Sequence, residues 1–156
     1  MSGSSAKASN RISLNRVLLS IAIGAFFLTV NLNEELLFEK ILVLQLVLSI
    51  PLLLTSTLAY SKVGYRRKFQ KWNGMGWLTF ALGYAFLLNV IGILLAKTSG
   101  ITISIIFFAS SWFLAIAYSL VDISYDRAVI RERIYKDLLF ILVQVFLGLF
   151  VALNIY

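Results

Sequence analysis

The sequence predicts an all-α integral membrane protein, a bundle of five transmembrane helices with a cytoplasmic N-terminus and a C-terminus on the opposite side. Its composition is the first reason. Hydrophobic residues make up 60% of the 156-residue chain and charged residues only 13%, whereas a soluble domain is about 45–50% apolar and about 25% charged. A soluble globule of this size leaves much of its surface wet, so the excess apolar surface is predicted to face lipid.

The second reason is that the apolar residues cluster into segments of spanning length. A helix needs about 20 mostly apolar residues to cross a hydrocarbon core of about 30 Å. The segments are apolar around their whole circumference, which favours helices over barrel strands. The predicted spans are residues 14–32, 41–60, 76–96, 101–121 and 138–156. Together they define one transmembrane domain, 14–156, preceded by a flexible polar cytoplasmic tail, 1–13.

The first span shares features with a signal peptide, because a basic stretch precedes its short apolar centre. The sequence after it, NLNEELLFEK (31–40), lacks the small-x-small pattern of a cleavage site. We therefore interpret this span as a retained anchor. If it were cleaved, four spans would remain.

The third reason is the distribution of cations. Twelve of the fourteen Lys and Arg residues lie in the N-terminal region, in loop 61–75 or in loop 122–137, which share one side of a membrane that the chain crosses five times. Because cytoplasmic loops are enriched in these residues, the pattern predicts the orientation given above. Five cations are further predicted to form a surface for anionic lipid headgroups, at about 1 kcal/mol per cation: Lys62, Arg66, Arg67, Lys68 and Lys71. Lipid explains these cations, so nucleic acid is not an expected partner.

Loop 122–137 is predicted to contain a helical linker that lies against the membrane surface, and a docking face for a partner is the alternative. Glu132–Lys136 and Arg133–Asp137 have the i,i+4 spacing of ion pairs that stabilise a helix.

The residue types that are missing limit the chemistry. The chain has no His and no Cys, which excludes imidazole and thiolate metal sites, haem bound by His or Cys, and Ser-His or Cys-His nucleophiles. No carboxylate or Lys lies near the middle of a predicted span, so a proton relay has no site there. We expect no cofactor, no metal and no enzymatic activity. Lipid-headgroup chemistry through Asp122 and Asp126 is the enzymatic alternative.

Neutral polar residues inside the spans are the candidate functional residues. In the second span, Gln45, Ser49 and Ser56 share one helical face by their spacing. Pro51 predicts a kink in that helix, because it cannot donate to the carbonyl of Val47. Comparable polar or small faces on the other spans include Ser20, Gly24, Asn89, Ser111, Asp122 and Gln144.

Two interpretations of these faces remain. In one, they bond the helices to each other, as is common in membrane bundles. In the other, four of the polar residues line a hydrated path for an ion or small solute: Gln45, Ser49, Asn89 and Ser111. Asp122 and the basic loops then set the field at its cytoplasmic mouth. Five short helices enclose little space, so such a path is expected at the symmetry axis of a homo-oligomer.

The sequence thus predicts a small multi-pass membrane protein that is homo-oligomeric. A channel lined by neutral polar residues is the first functional hypothesis. The alternative is a non-catalytic accessory or assembly subunit, bound to partner membrane subunits in a larger complex.

Overall fold

The computed structural model describes residues 2–32, 40–63, 69–125 and 130–155. Nearly all of these residues are helical, and none of them is in a β-strand, so the all-α prediction is confirmed for this part of the chain. The helices are α1 (Ser2–Leu32), α2 (Lys40–Val63), α3 (Phe69–Ser99), α4 (Ile101–Tyr125) and α5 (Ile130–Gln144). A π-helical turn, Val145–Leu149, then leads into α6 (Phe150–Ile155).

Four helical segments are long and apolar enough to cross a membrane, and they correspond to the second to fifth predicted spans. They are Lys40–Val63, Lys71–Ser99, Ile101–Ser124 and Arg133–Asn154. In lipid a helix satisfies its own backbone N–H and C=O groups, which is why such apolar sequences adopt this structure. These four helices indicate a multi-pass membrane protein. The helix α1 is not among the four, so its crossing stays a prediction.

Several helices extend beyond the predicted spans. The helix α1 begins at Ser2, so residues 2–13, which the sequence predicted as a flexible tail, are helical. The helix α3 begins at Phe69 and takes up part of the predicted loop 61–75. A contact with a neighbouring helix supports the extension of α1, because Arg11 is bonded to Tyr60 of α2.

The chain contains two compact units, Met1–Leu87 and Leu88–Tyr156, whereas the sequence predicted a single transmembrane domain, 14–156. The boundary falls inside α3, which contributes to both. In the first unit consecutive helices are antiparallel. Asn15 of α1 bonds Ser56 of α2, which bonds Gly76 of α3, while Gly83, farther along α3, lies against Leu53, earlier in α2.

Consecutive helices are also antiparallel in the second unit. The turn between α3 and α4 is the single residue Gly100, whose φ of +95° is left-handed and whose N–H donates to the carbonyl of Ala96 over 3.1 Å. Such a conformation favours glycine and closes the end of a helix. Between α4 and α5, Ser111 contacts Gln144 and Ser119 contacts Asp137. Helical hairpins therefore build this unit.

A fully buried phenylalanine, Phe108 of α4, fills the space left by two glycines. A Cβ atom added at Gly92 would lie 2.6 Å from Cε2 of this ring, and one added at Gly148 would lie 2.8 Å from Cε1. Both distances are far below a van der Waals contact. The exposed fraction of Phe108 is 0%, so its ring has no room to retreat. The two glycines thus set how closely α3 and the π turn approach α4.

We expect Gly92→Ala to destabilise the protein by about 1–3 kcal/mol relative to Gly74→Ala, because overpacking costs that much in a filled core. Gly74 lies in the same helix and has nothing within 4 Å of an added Cβ. Both substitutions gain the same helix propensity, about 1 kcal/mol, so their difference isolates the clash. The measurement is the midpoint of denaturant unfolding in mixed micelles. Equal midpoints for the two variants would contradict this account of Phe108.

Candidate functional site

One serine hydroxyl joins three helices in the first unit. The Nδ2 group of Asn15 donates to Oγ of Ser56 over 3.0 Å, and Oγ of Ser56 donates to the carbonyl of Gly76 over 2.8 Å. Asn15 and Ser56 are fully buried. The hydroxyl therefore donates its single proton to α3 and accepts a hydrogen bond from α1. We call Asn15, Ser56 and Gly76 the serine junction.

An arginine–tyrosine pair lies one helical turn from the serine junction. The guanidinium of Arg11 donates to the hydroxyl of Tyr60, and its Cζ lies 5.0 Å from the centroid of that ring. Tyr60 is buried and Arg11 is half-buried. The absence of a side chain at Gly76 makes room for the ring, since an added Cβ would lie 3.2 Å from Cε1 of Tyr60. The pair gives the cation both a hydrogen bond and a cation–π contact.

The predicted polar face of α2 is turned away from the surface. Gln45, Ser49 and Ser56 are all buried, and Oγ of Ser49 donates to the carbonyl of Leu46 over 2.7 Å within its own helix. The helix continues through Pro51, whose ring is exposed. The kink at Pro51 stays a prediction.

A second polar group lies in the second unit. Nδ2 of Asn89 on α3 donates to the carbonyl of Val143 on α5 over 3.4 Å, and Oγ of Ser111 on α4 lies 3.0 Å from Oε1 of Gln144. Asn89 and Gln144 have exposed fractions of 0%. The π turn starts directly after Gln144 and includes Gly148, where an added Cβ would lie 2.8 Å from Cγ of Asn89. We call Asn89, Ser111 and Gln144 the glutamine layer.

Asp122 lies at the other end of the α4–α5 hairpin and forms an ion pair with Arg133. Cζ of Arg133 lies 5.5 Å from the centroid of the Tyr118 ring, and Ser119 donates to Oδ1 of Asp137 over 2.9 Å. The spacing along α5 predicted an Arg133–Asp137 pair, and the structure instead directs each of these residues to α4. The neighbouring helix α4 therefore supplies the partners of both Arg133 and Asp137.

The sequence prediction for α1 was wrong about which face is buried. Ser20 and Gly24, predicted to face inward, are exposed, whereas Asn15 is fully buried. Asn15 was missed because it stands at the edge of the first predicted span, beside Arg16. Its signal was the series of small or polar residues that the structure buries on this helix: Ala8, Asn15, Ala22, Ala25 and Thr29.

The predicted anionic-lipid surface is only partly described. Lys62 and Lys71 are exposed at the ends of α2 and α3. Arg66, Arg67 and Lys68 lie outside the described residues. Among the residues that are described, no group of three or more His, Cys, Asp or Glu side chains is placed to hold a metal ion.

No known protein family, curated protein or solved structure matches this chain. Its function is therefore inferred from the geometry of the described residues. The serine junction and the glutamine layer join helices of the same chain, which is the helix-bonding interpretation of the polar faces.

We expect Ser56→Ala to destabilise the protein by about 0.6–1.7 kcal/mol, the range of hydrogen bonds between membrane helices, because both α1 and α3 lose a bond. Thr57→Val is the matched control, since the hydroxyl of Thr57 donates over 2.9 Å to Leu53 of its own helix. A double-mutant cycle with Asn15→Ala, read by unfolding in mixed micelles, measures the coupling between Asn15 and Ser56. Additive effects in that cycle would rule out the junction.

Proposed function

We propose that this protein is a five-span membrane protein that self-associates through the outer face of α4 and serves as a structural, non-catalytic subunit of a membrane assembly. One observation favours the structural role over a channel. The side chains that a channel would use, Gln45, Ser49 and Asn89, are buried inside the single chain. A pore on an axis between copies needs its lining residues on the outside of each copy.

The helix contacts support a crossing by α1. Arg11 and Asn15, near the start of α1, lie beside Tyr60 and Ser56, near the end of α2. The two helices are therefore antiparallel, as two consecutive spans must be. The same contacts put the N-terminal cations beside the end of α2 that carries Lys62, which agrees with a cytoplasmic N-terminus by the rule that cytoplasmic loops are basic.

The outer face of α4 supports self-association. This helix is the least buried of the four, since 11% of its apolar stretch is buried inside the chain, against 22%, 33% and 39% in the others. Ile106, Phe113 and Leu120 are spaced by seven residues and are exposed by 56%, 71% and 62%. Beside them stand Ser110 and Ala117 at the same spacing. Large and small residues in a seven-residue repeat are typical of helices that pack closely in membranes.

Other features fit a structural subunit. Exposed Lys62 and Lys71 support contact with anionic headgroups. Asp122, the carboxylate that an enzymatic role would use, is ion-paired with Arg133, so we do not propose catalysis. A channel is the second candidate, because Nε2 of Gln144 and Nε1 of Trp112 are buried without a hydrogen-bond partner in the described structure, and water in a path would supply one.

The proposed topology is testable directly, because the chain has no Cys. We expect Ser99→Cys and Asn154→Cys to react with a membrane-impermeant maleimide added to intact cells, and Ser9→Cys to react only after permeabilisation. All three positions are exposed. Reaction of all three variants in intact cells would show that α1 does not cross, leaving four spans.

We expect Phe113→Ala to raise the dissociation constant of the oligomer at least about tenfold, equivalent to about 1.4 kcal/mol, because it removes the most exposed large side chain of the α4 repeat. Phe146→Ala is the matched control, since Phe146 is also exposed, by 62%, but lies on the π turn. Copy number is counted by single-molecule photobleaching in lipid vesicles. A monomer in the parent protein, or equal effects of the two substitutions, would refute assembly through α4.

The same vesicles separate the two candidate functions. A structural subunit gives no ion or solute flux above protein-free vesicles. Flux that Gln45→Leu or Asn89→Leu changes, with the copy number preserved, would establish the channel and overturn the structural role. Purification in mild detergent adds a third readout, because a stoichiometric foreign chain would identify an accessory subunit of a larger complex.

A further inference from the structure

Two buried donor groups near the glutamine layer lack a partner in the described part of the chain. They are Nε2 of Gln144 and Nε1 of Trp112. Gln144 has an exposed fraction of 0%. An indole N–H can only donate, and buried polar groups in proteins are nearly always paired with protein or with an ordered water. Both groups therefore call for a hydrogen-bond partner beyond those that the described contacts provide.

Counting protons on Ser111 identifies what Gln144 requires. The hydroxyl lies 2.9 Å from the carbonyl of Phe108 and 3.0 Å from Oε1 of Gln144. A hydroxyl has one proton and can donate fully to only one of these acceptors. Both contacts are satisfied when the amide of Gln144 is turned by 180°, so that Nε2 donates to Ser111 and Ser111 donates to Phe108. Oε1 then takes the unpaired position, and it is an acceptor.

The two unpaired groups are thus complementary. Trp112 directly follows Ser111 on α4, and Ser111 contacts Gln144 on α5, so both unpaired groups belong to the same level of the α4–α5 pair. The ring centroid of Phe108, one turn earlier on α4, lies 6.3 Å from that of Trp112, which adds an apolar neighbour. A ligand here must accept from an indole N–H and donate to an amide carbonyl.

We propose that the glutamine layer and Trp112 bind one internal water molecule, which accepts from Nε1 of Trp112 and donates to the side-chain carbonyl of Gln144. The neighbouring side chains, Asn89, Ser111, Trp112 and Gln144, are uncharged, so an ion would have no counter-charge. Both unpaired atoms are shielded from solvent, which limits the ligand to a small neutral molecule. Internal waters satisfy such groups in many proteins. This proposal does not depend on assembly through α4.

The test is water-edited solid-state NMR on protein labelled with ¹⁵N-tryptophan in deuterated lipid. The chain has three tryptophans, and Trp72 and Trp77, near the start of α3, serve as references at the membrane surface. We expect the indole N–H of Trp112 to receive magnetisation from water, and Gln144→Met to reduce this transfer to the level of the backbone amide of Trp112, which carries the same label and lies inside the helix. Leu142→Met, exposed on the same helix, is the matched control and should keep the transfer.

A second measurement guards against misfolding of the Gln144 variant. In Trp112→Phe, the side-chain amide of ¹⁵N-labelled Gln144 should lose its transfer from water while the reference tryptophans stay unchanged. Transfer to Trp112 that persists in Gln144→Met would place the water elsewhere and overturn the proposal. No transfer in the parent protein would also overturn it, and would indicate a direct bond between Trp112 and Gln144.

Discussion

The requirement that polar groups find partners away from lipid governs this structure. A helix satisfies its own backbone in hydrocarbon, but an asparagine, glutamine or serine side chain must be paired by a neighbouring helix, by its own helix or by water. At Ser56 a single hydroxyl satisfies two neighbouring helices, since it accepts a hydrogen bond from Asn15 and donates one to the carbonyl of Gly76. The carbonyl of Gly76 is within reach because this residue has no side chain to hold α2 away.

Hydrogen bonding and close packing therefore depend on each other. At Gly92 and Gly148 the missing side chains admit the ring of Phe108, and this approach brings α4 and α5 near enough for Ser111 to contact Gln144. The carbonyl of Gly92 also accepts from Ser104 over 2.7 Å. Each bond between helices in membranes contributes little by itself, so the order of the unit comes from several small contacts that share the same glycines.

Much of this fold was predictable because lipid restricts the choices. Segment length and composition predicted the four helices of spanning length, and the spacing of Gln45, Ser49 and Ser56 predicted that they share a face. Spacing does not reveal which of two faces turns inward, and the choice of Ser20 and Gly24 over Asn15 was wrong for that reason. The pairing of Arg133 with Asp122 rather than Asp137 depends on the neighbouring helix. The π turn has no counterpart in residue periodicity.

A buried polar side chain that bonds two helices cannot also offer the same hydrogen-bonding groups to a passing solute. The partner to which each hydroxyl or amide donates therefore indicates whether that side chain could line a path. The hydroxyl groups of Ser56 and Ser104 each donate their proton to a backbone carbonyl of a neighbouring helix. What remains for interaction is the outer surface. A lipid tail is as apolar as Phe113, so buried apolar area alone does not drive helices to associate there. Only close fit distinguishes a protein neighbour from lipid. The small residues Ser110 and Ala117 beside the large ones on α4 provide such a fit, which is why the assembly proposal depends on shape rather than on hydrophobicity.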